Sequence, residues 1–315
     1  MSKPNILQMG DYPEWDQTPL EAAYTMHRYD LAEDKAAYLA EVGASIEGIA
    51  TRGDKGASAE IIAACPNLKV ISIYGVGFDA VDLDACRARG IRVTNTPDVL
   101  TKDVADLGLA MMLSLGRAVG AAEAWVRDGS WVSKGGSPLT RRVHKSKVGI
   151  LGLGRIGFEV ARRCVGFEMD IAYSDIEPKA YAEDWTFIAD PVELAAHSDY
   201  LFVTLAASAE THHIVGKDVI EAVGPTGMII NISRAANIDE EAILDALESG
   251  ALGSAALDVF EGEPHLNPRF LKLDNVLLQP HHASGTTETR KDMGALMRAN
   301  LTAFFAGDDL LTPVV

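Results

Sequence analysis

Residues 148–157 read Val-Gly-Ile-Leu-Gly-Leu-Gly-Arg-Ile-Gly, an apolar strand followed directly by a Gly-x-Gly-x-x-Gly turn. The residues after this turn continue in a helical pattern, and a strand–turn–helix unit of this kind is typical of dinucleotide-binding proteins. Gly152 permits the tight turn, Gly154 lets the backbone approach a pyrophosphate, and Gly157 allows helix and strand to pack closely. Free N–H groups at the start of the helix then face the negative charge. The turn residues that we predict to bind the dinucleotide are Gly152, Gly154, Arg155, Ile156 and Gly157.

The next strand-like run, Ile171–Tyr173, leads to Asp175, which follows Gly157 by 175 − 157 = 18 residues. This is close to the spacing of about 20 residues at which an acidic side chain binds the ribose of the dinucleotide. The same carboxylate repels the 2′-phosphate of NADP, and no arginine follows at once, so NAD is the predicted cofactor. Lys179 leaves NADP as the less favoured option. The alternative interpretation is an ordinary strand–helix turn beside a solvated acid.

Strand-like and helical patterns alternate along the whole chain, which indicates parallel sheets built from β-α-β units. A long helical pattern from Lys102 to about Arg127 separates two groups of strands, and a second helical stretch, 286–305, is expected to return to the first group. The strand-like runs are Ile6–Met9, Ile46–Ala50, Val70–Ile73, Val148–Leu151, Ile171–Tyr173, Leu201–Leu205, Met228–Ile232, Ala255–Val259 and Val276–Leu278.

Length and composition restrict the class of protein. The chain has 315 residues, of which 48% are hydrophobic, enough to form two packed domains. Its formal charge of −17 disfavours nucleic acid and anionic membranes as partners, because binding to them needs clustered Lys and Arg. The start of the chain lacks the pattern of a signal peptide, and Leu107–Leu115, the most apolar stretch, is too short to cross a bilayer. These features predict a cytoplasmic protein, in which Cys65, Cys86 and Cys164 are reduced and structural.

Three polar segments each follow a predicted strand of the second group. They are Asn231–Glu240, Leu257–Pro264 and Gln279–Thr286, and they contain Arg234, Glu263 and His281 respectively. Ligands of α/β sheets bind at the carboxyl ends of the strands, so these segments are predicted to form the active site. Taken one by one, a surface arginine, a loop acid and a core histidine are the commoner interpretations.

With these segments in place, the sequence resembles the D-isomer-specific 2-hydroxyacid dehydrogenase family over nearly its whole length. Further matching stretches are 75–79, 93–101 and 104–106, and within the family the chain looks most similar to hydroxypyruvate, glyoxylate and hydroxyphenylpyruvate reductases. The resemblance implies two Rossmann-like or flavodoxin-like domains with parallel sheets. It also implies that an NAD-binding domain, residues 100–285, is inserted into a substrate domain made of residues 1–99 and 286–315.

The resemblance implies a catalytic set of Arg234, Glu263 and His281, with Asp258 holding the nicotinamide carboxamide. Ile232, Arg234 and His281 are also expected to bind the cofactor. The residue chemistry fits a small 2-oxo acid as substrate. Arg234 offers a charged fork to the carboxylate and keto oxygen, and a histidine can protonate the alkoxide that forms on reduction. Glu263 would stabilise the imidazolium. The list of expected substrate-binding residues is Val76 and Gly77, through their N–H groups, together with Arg234 and His281.

The chain departs from the family pattern at Ala206–Ala207, Ala235 and His282, which puts details of the pocket in doubt but removes no catalytic group. His281 and His282 are expected to point apart in an extended segment, so we predict no metal site.

Arg52 and Trp131, the latter from a partner subunit, are candidates for the active cleft, with surface or packing roles as the alternative. The many small and apolar residues of Lys102–Arg127 favour a homodimer interface or, alternatively, only a core helix. An NAD-sensing binding protein of the same fold is the alternative function.

Overall fold

The computed structural model of the chain describes residues 3–315, and within them two parallel sheets lie in separate units. One unit comprises the residues up to Leu100 together with Ser284–Val315, and the other unit is Thr101–Ala283. The second unit is thus inserted into the chain of the first. The predicted fold class, two parallel-sheet α/β domains with one inserted into the other, is confirmed.

The sheet of the first unit has the strand order β2-β1-β3-β4-β5, and all its described pairings are parallel. The direction of strand addition reverses between β1 and β3, which is the arrangement of flavodoxin-like sheets. Helices cover both faces, so the central strands are apolar on both sides. The strands are β1 (Asn5–Gln8), β2 (Thr25–Arg28), β3 (Gly48–Arg52), β4 (Val70–Tyr74) and β5 (Arg92–Thr94).

The sheet of the second unit has the strand order β12-β11-β10-β9-β6-β7-β8, again with parallel pairings among the described strands. The order reverses between β6 and β9, as in dinucleotide-binding folds. The strands are β6 (Lys147–Leu151), β7 (Asp170–Ser174), β8 (Thr186–Phe187), β9 (Tyr200–Val203), β10 (Met228–Asn231), β11 (Ser254–Leu257) and β12 (Val276–Leu278).

The helices flank the two sheets. As the sequence pattern indicates, the last helix packs on the first sheet: the Ser72 hydroxyl donates to the Met297 carbonyl at 3.1 Å, and the Tyr74 hydroxyl donates to the Arg290 carbonyl at 2.6 Å. The helices are α1 (Glu14–Ala23), α2 (Lys35–Val42), α3 (Ala59–Ala64), α4 (Leu83–Arg89), α5 (Thr101–Gly116), α6 (Val119–Arg127), α7 (Ser130–Lys134), α8 (Arg155–Val165), α9 (Pro191–His197), α10 (Lys217–Val223), α11 (Glu240–Ser249) and α12 (Thr287–Ala306).

The prediction of one long helix from Lys102 to about Arg127 is wrong. Helix α5 ends at Gly116 and α6 begins at Val119, with a bend of 54° between them. Ala118 takes a left-handed conformation with φ of 48°, which stops the helical hydrogen-bond ladder. The apolar pattern continues on both sides of the bend, so it gave no sign of the interruption.

No single helix of residues 3–315 is long and apolar enough to cross a membrane. Only α5 and α6 taken together, which are bent against each other, reach that length and apolar content.

Three strands of the structure, β2, β5 and β8, have no counterpart among the strand-like runs of the sequence. Strands β2 and β8 lie at sheet edges, where one side is open to solvent and the apolar pattern is weak. Strand β5 is only three residues long.

The three cysteines are free and buried, and burial raises the pKa of each thiol, that of Cys164 to about 12.

Candidate active site

The glycine turn joins β6 to α8 in the way that the motif predicts. Gly152 has φ of +95°, and a Cβ on Gly157 would lie 2.1 Å from the Gly152 carbonyl oxygen, so neither position accepts a side chain. The Thr204 hydroxyl donates to that same carbonyl at 2.6 Å and fixes the turn. Helix α8 begins at Arg155, and its N-cap residue Gly154 makes no side-chain cap. The first N–H groups of α8 are therefore suited to a pyrophosphate.

Asp175 follows β7 directly and is tied to the glycine turn. Its Oδ2 accepts a hydrogen bond from the Leu153 N–H at 2.9 Å, and its Oδ1 lies 3.0 Å from the Nζ of Lys179. This hydrogen bond with Asp175 raises the pKa of Lys179. Lys179 is the residue that kept NADP as an option in the sequence analysis. It forms an ion pair with Asp175, the carboxylate that disfavours NADP. Replacement of Asp175 would release the Lys179 ammonium.

Arg234 lies in a turn that the last residue of β10 organises. The Oδ1 of Asn231 accepts hydrogen bonds from the N–H of Ser233 at 3.0 Å and from its hydroxyl at 2.8 Å, while its Nδ2 donates to the Arg234 carbonyl at 3.0 Å. The guanidinium of Arg234 donates to the Ser233 carbonyl at 2.8 Å. Asn231 is buried, so its amide stabilises the turn in a site shielded from water. The sequence interpretation gave Asn231 no role, although it begins the segment that contains Arg234.

Glu263 and His281 are in direct contact. The Nδ1 of His281 lies 2.7 Å from the Oε2 of Glu263, and the other carboxylate oxygen accepts the N–H of Phe260 at 2.8 Å. The carboxylate therefore fixes the imidazole ring and leaves Nε2, which has no partner among residues 3–315, for a ligand. The His281 side chain is 38% exposed, so the ring is accessible while its orientation is fixed. A ring held this way is suited to general acid–base chemistry.

Asp258 supports the histidine-bearing loop. Its carboxylate is buried and accepts the N–H of His282 at 2.7 Å and that of Ala283 at 3.0 Å. Burial raises the pKa of Asp258, and the two backbone donors oppose that rise. The sequence interpretation missed this anchoring contact. The contact of Asp258 with the nicotinamide carboxamide stays a prediction.

The prediction that His281 and His282 lie in an extended segment is wrong. Strand β12 ends at Leu278, and His281 has φ of 51°, in the left-handed region. The left-handed conformation has a physical reason: it directs the N–H groups of His282 and Ala283 to the carboxylate of Asp258. The two rings nevertheless differ in surroundings, because His281 pairs with Glu263 and His282 is exposed.

In the first unit, the loop after β4 presents two N–H groups. Asn95 donates from its side chain to the Val76 carbonyl at 2.8 Å, and the Thr96 hydroxyl accepts the Gly75 N–H at 3.0 Å. The N–H groups of Val76 and Gly77 donate to no acceptor within the described part of the chain. They are therefore suited to a carboxylate oxygen. Asn95 and Thr96 were not assigned this supporting role, though both stand in the matched stretch 93–101.

The family model described as "D-isomer specific 2-hydroxyacid dehydrogenase, NAD binding domain" matches residues 109–283. The chain belongs to the D-isomer-specific 2-hydroxyacid dehydrogenase family. The resemblance seen in the motifs is thereby confirmed, and so is the expectation of a domain of the NAD-binding type.

Relatives of this dehydrogenase match it from end to end. Hydroxyphenylpyruvate reductase of Plectranthus scutellarioides is 42% identical over 310 residues, which are 98% of each chain. A 2-hydroxyacid dehydrogenase structure from Ketogulonicigenium vulgare Y25 is 68% identical, with a TM-score of 0.94 and coverage of 100% of this chain and 99% of that one. The NADPH-dependent glyoxylate/hydroxypyruvate reductase of Sinorhizobium meliloti, in complex with NADP and malonate, is 36% identical, with a TM-score of 0.91 and coverage of 100% and 97%.

The remaining candidate residues of the dehydrogenase have the following places. Ile232 is buried after β10, Trp131 is 62% exposed on α7, and Arg52 at the end of β3 forms ion pairs with Asp11 and Asp54. No group of three or more His, Cys, Asp or Glu side chains in residues 3–315 is arranged to hold a metal ion. The rings of the adjacent His212 and His213 stack on each other at 3.9 Å.

Proposed function

We propose that this dehydrogenase uses a nicotinamide coenzyme to interconvert small 2-oxo acids and D-2-hydroxy acids. The observation that carries the proposal is the 2.7 Å contact between His281 Nδ1 and Glu263 Oε2, in the same unit as the glycine turn and Asp175. Family membership supplies the reaction class, and the comparisons include reductases of glyoxylate, hydroxypyruvate and hydroxyphenylpyruvate.

Each catalytic side chain has a distinct part in the proposed reduction. A coenzyme held at the glycine turn and Asp175 would supply the hydride for the keto carbon. Arg234 binds the substrate carboxylate and polarises the keto oxygen, which becomes an alkoxide as the hydride arrives. His281 gives its Nε2 proton to that alkoxide, and Glu263 stabilises the imidazolium before the transfer. The proton is replaced from solvent, to which the ring is accessible.

A panel of 2-oxo acids tests this proposal. Glyoxylate, hydroxypyruvate and 4-hydroxyphenylpyruvate are each added to the protein with NADH or NADPH, and coenzyme oxidation is followed by absorbance. We expect oxidation with at least one of these acids and none with the corresponding amides, which lack the carboxylate that Arg234 binds. Tight binding of NADH without turnover on any 2-oxo acid would instead support a coenzyme-sensing protein.

Asp175→Ala is expected to lower the preference for NADH over NADPH by about tenfold or more, because charge-assisted hydrogen bonds to the ribose are lost. The released Lys179 ammonium then attracts the 2′-phosphate. The measurement is the ratio of kcat/KM for the two coenzymes. The matched control is Asp175→Ala combined with Lys179→Met, in which the gain for NADPH should shrink while the loss for NADH stays. An unchanged ratio in Asp175→Ala would refute the ribose assignment.

A homodimer is also part of the proposal, and exposed apolar side chains on and after α6 support it. Val126 and Trp131 are more than half exposed, and Val132 is 94% exposed. Apolar groups gathered along one segment mark interaction surfaces in soluble proteins. The symmetric pairing of two copies is the commonest such assembly.

We predict a dimer at micromolar concentration by light scattering, and a dissociation constant raised at least about tenfold by Val132→Glu, because a charge is then buried at the contact. Leu271→Glu, at another exposed apolar position of the same unit, is the matched control and should leave the dimer intact. A monomeric wild-type protein would refute the prediction.

A cytoplasmic location is also proposed, because the three cysteines are free thiols, and cell fractionation tests it.

A further inference from the structure

Glu263 lies in an arch of the chain, residues 260–270, that contains neither α-helix nor strand. The two ends of the arch are buried, because Phe260 and Phe270 pack on each other at 5.6 Å in the core of the inserted unit. Residues 261–265 between them are exposed. An exposed segment without secondary structure opens at low cost unless other contacts tie it down. The position of the Glu263 carboxylate therefore depends on what holds the arch.

Glu240 ties the first part of the arch to helix α11. It is the first residue of that helix, and its Oε2 accepts the N–H of Glu261 at 2.9 Å. The preceding N–H of the chain, that of Phe260, donates to the Oε1 of Glu263 at 2.8 Å. Two consecutive N–H groups thus donate to two carboxylates, and because each peptide unit is planar, fixing one restricts the other. The hydrogen bond to Glu240 therefore helps to set the direction of Glu263.

The surroundings of Glu240 favour a firm contact. Its side chain is half-buried at the start of α11, so the hydrogen bond to Glu261 is partly shielded from water. Burial raises the pKa of Glu240, and the Glu261 N–H opposes that rise. A hydrogen bond to an ionised acceptor is stronger than one between neutral groups, and partial burial strengthens it further.

Arg269 ties the far part of the arch to the same helix. Its guanidinium contacts three carboxylates of α11, those of Glu241 at 2.7 Å, Asp245 at 2.6 Å and Glu248 at 2.8 Å. Residues spaced by four and then three positions lie in one row on a helix. One arginine therefore bridges to a whole face of α11, and Glu263 lies between two attachments to this helix.

Glu240 is not needed to cap α11. The N-cap residue is Asp239, whose carboxylate accepts the N–H of Ala242 at 3.0 Å. The helix also begins shortly after Arg234, since 240 − 234 = 6. The chain thus places Arg234 just before α11 and attaches the Glu263 arch to its first residue. One rigid element serves as the reference for both catalytic side chains.

We propose that Glu240 is a positioning residue for the Glu263–His281 pair. Its carboxylate holds the Glu261 N–H and thereby keeps Glu263 at 2.7 Å from the imidazole, with Arg269 as the second attachment of the arch. The inference rests on the proposed function, in which His281 gives the proton to the alkoxide. It assigns to Glu240 an effect on turnover that acts only through Glu263.

Two conservative variants separate this role from a structural one. Glu240→Gln keeps an oxygen acceptor at the same reach but loses the charge, whereas Glu240→Asp keeps the charge but shortens the side chain by one carbon–carbon bond, about 1.5 Å. We expect kcat within about twofold of wild type for Glu240→Gln. For Glu240→Asp we expect a fall of about tenfold, because misplacing a catalytic group by about 1 Å can cost about 100-fold.

A purely structural role predicts the opposite order. An acid at the start of a helix stabilises it through its charge, which aspartate retains and glutamine loses. Thermal unfolding would then be affected mainly in Glu240→Gln, with kcat unchanged in both variants. The measurements are kcat at saturating NADH and 2-oxo acid and the midpoint of thermal unfolding. Glu221→Asp is the matched control, because Glu221 is an exposed residue of α10 that pairs with Lys217, and it should leave kcat unchanged.

A double-mutant cycle tests whether the effect passes through Glu263. In a Glu263→Ala background there is no carboxylate left to position, so Glu240→Asp should lower kcat by less than about twofold further. Arg269→Met, which removes the second attachment, should lower kcat about threefold or more in the wild-type background and have no further effect in Glu263→Ala. This variant keeps the inference testable if Glu240→Asp fails to fold.

The outcomes distinguish the inference from the function on which it rests. Wild-type kcat in Glu240→Asp, equal losses in Glu240→Gln and Glu240→Asp, or a full tenfold loss that persists in the Glu263→Ala background would each overturn the inference while the wild-type protein still reduces a 2-oxo acid. A wild-type protein that reduces no 2-oxo acid would overturn the proposed function and the inference with it.

Discussion

His281→Asn is expected to lower kcat by roughly 10²–10⁴-fold, the span usual for the loss of a general acid, with NADH binding nearly intact. Asparagine retains a polar group of similar size near Glu263 but cannot give up a proton to the alkoxide. The matched control is His282→Asn, because the neighbouring ring is exposed and only its backbone N–H contacts Asp258. Steady-state kinetics with NADH and a 2-oxo acid measure both variants, and the control should have a much smaller effect.

Glu263→Gln gives a second readout of the same pair. An amide then replaces the carboxylate oxygen that lies 2.7 Å from the Nδ1 of His281, so the ring is held less firmly and kcat should fall while NADH binding stays nearly intact. If His282→Asn abolished turnover while His281→Asn retained it, the proton donor would be the second histidine.

Arg234→Lys is expected to lower kcat/KM by roughly 10- to 100-fold, with a rise in KM and a fall in kcat together. Lysine keeps the positive charge but loses the planar fork, and the loss of one hydrogen bond to a charged group is worth about 1.5–3 kcal/mol. The KM rises because the carboxylate is held less firmly, and kcat falls because the keto oxygen is polarised less.

Arg87→Lys is the matched control for this prediction, because Arg87 is an exposed residue of α4 that pairs with Asp84. It should leave both constants unchanged. Near-native kinetics in Arg234→Lys would show that another group binds the carboxylate. A change in kcat alone would place the guanidinium at the keto oxygen only.

Much of the fold could be predicted because its signals are local. The run before Gly152 is apolar on both faces of the sheet, and the glycine spacing fixes the turn that follows, so β6 and α8 were expected where they lie. One rule, that functional groups stand after the carboxyl ends of parallel strands, predicted the segments of the candidate site, and the family resemblance then singled out their catalytic residues. That rule placed Glu263 and His281 in one region, and the structure brings their side chains to 2.7 Å.

The features that escaped prediction depend on contacts between distant parts of the chain. The bend at Ala118 and the left-handed backbone of His281 are single-residue events that leave the hydrophobic pattern intact. The anchoring of the histidine loop depends on Asp258, which is 24 residues away from His282. The cavity of about 410 Å³ that Tyr12 and Arg52 line is likewise formed by residues that lie apart in the chain, one after β1 and one at the end of β3. Sequence periodicity carries no information on such pairings.

The most direct test of the account is the oxidation of the two enantiomers of glycerate with NAD under the same conditions. Membership of a D-isomer-specific family, together with the His281–Glu263 pair acting as base in this direction, predicts that D-glycerate reduces NAD and that L-glycerate does not. Reduction of NAD by L-glycerate at an equal rate, or by neither enantiomer nor any other D-2-hydroxy acid, would contradict the account.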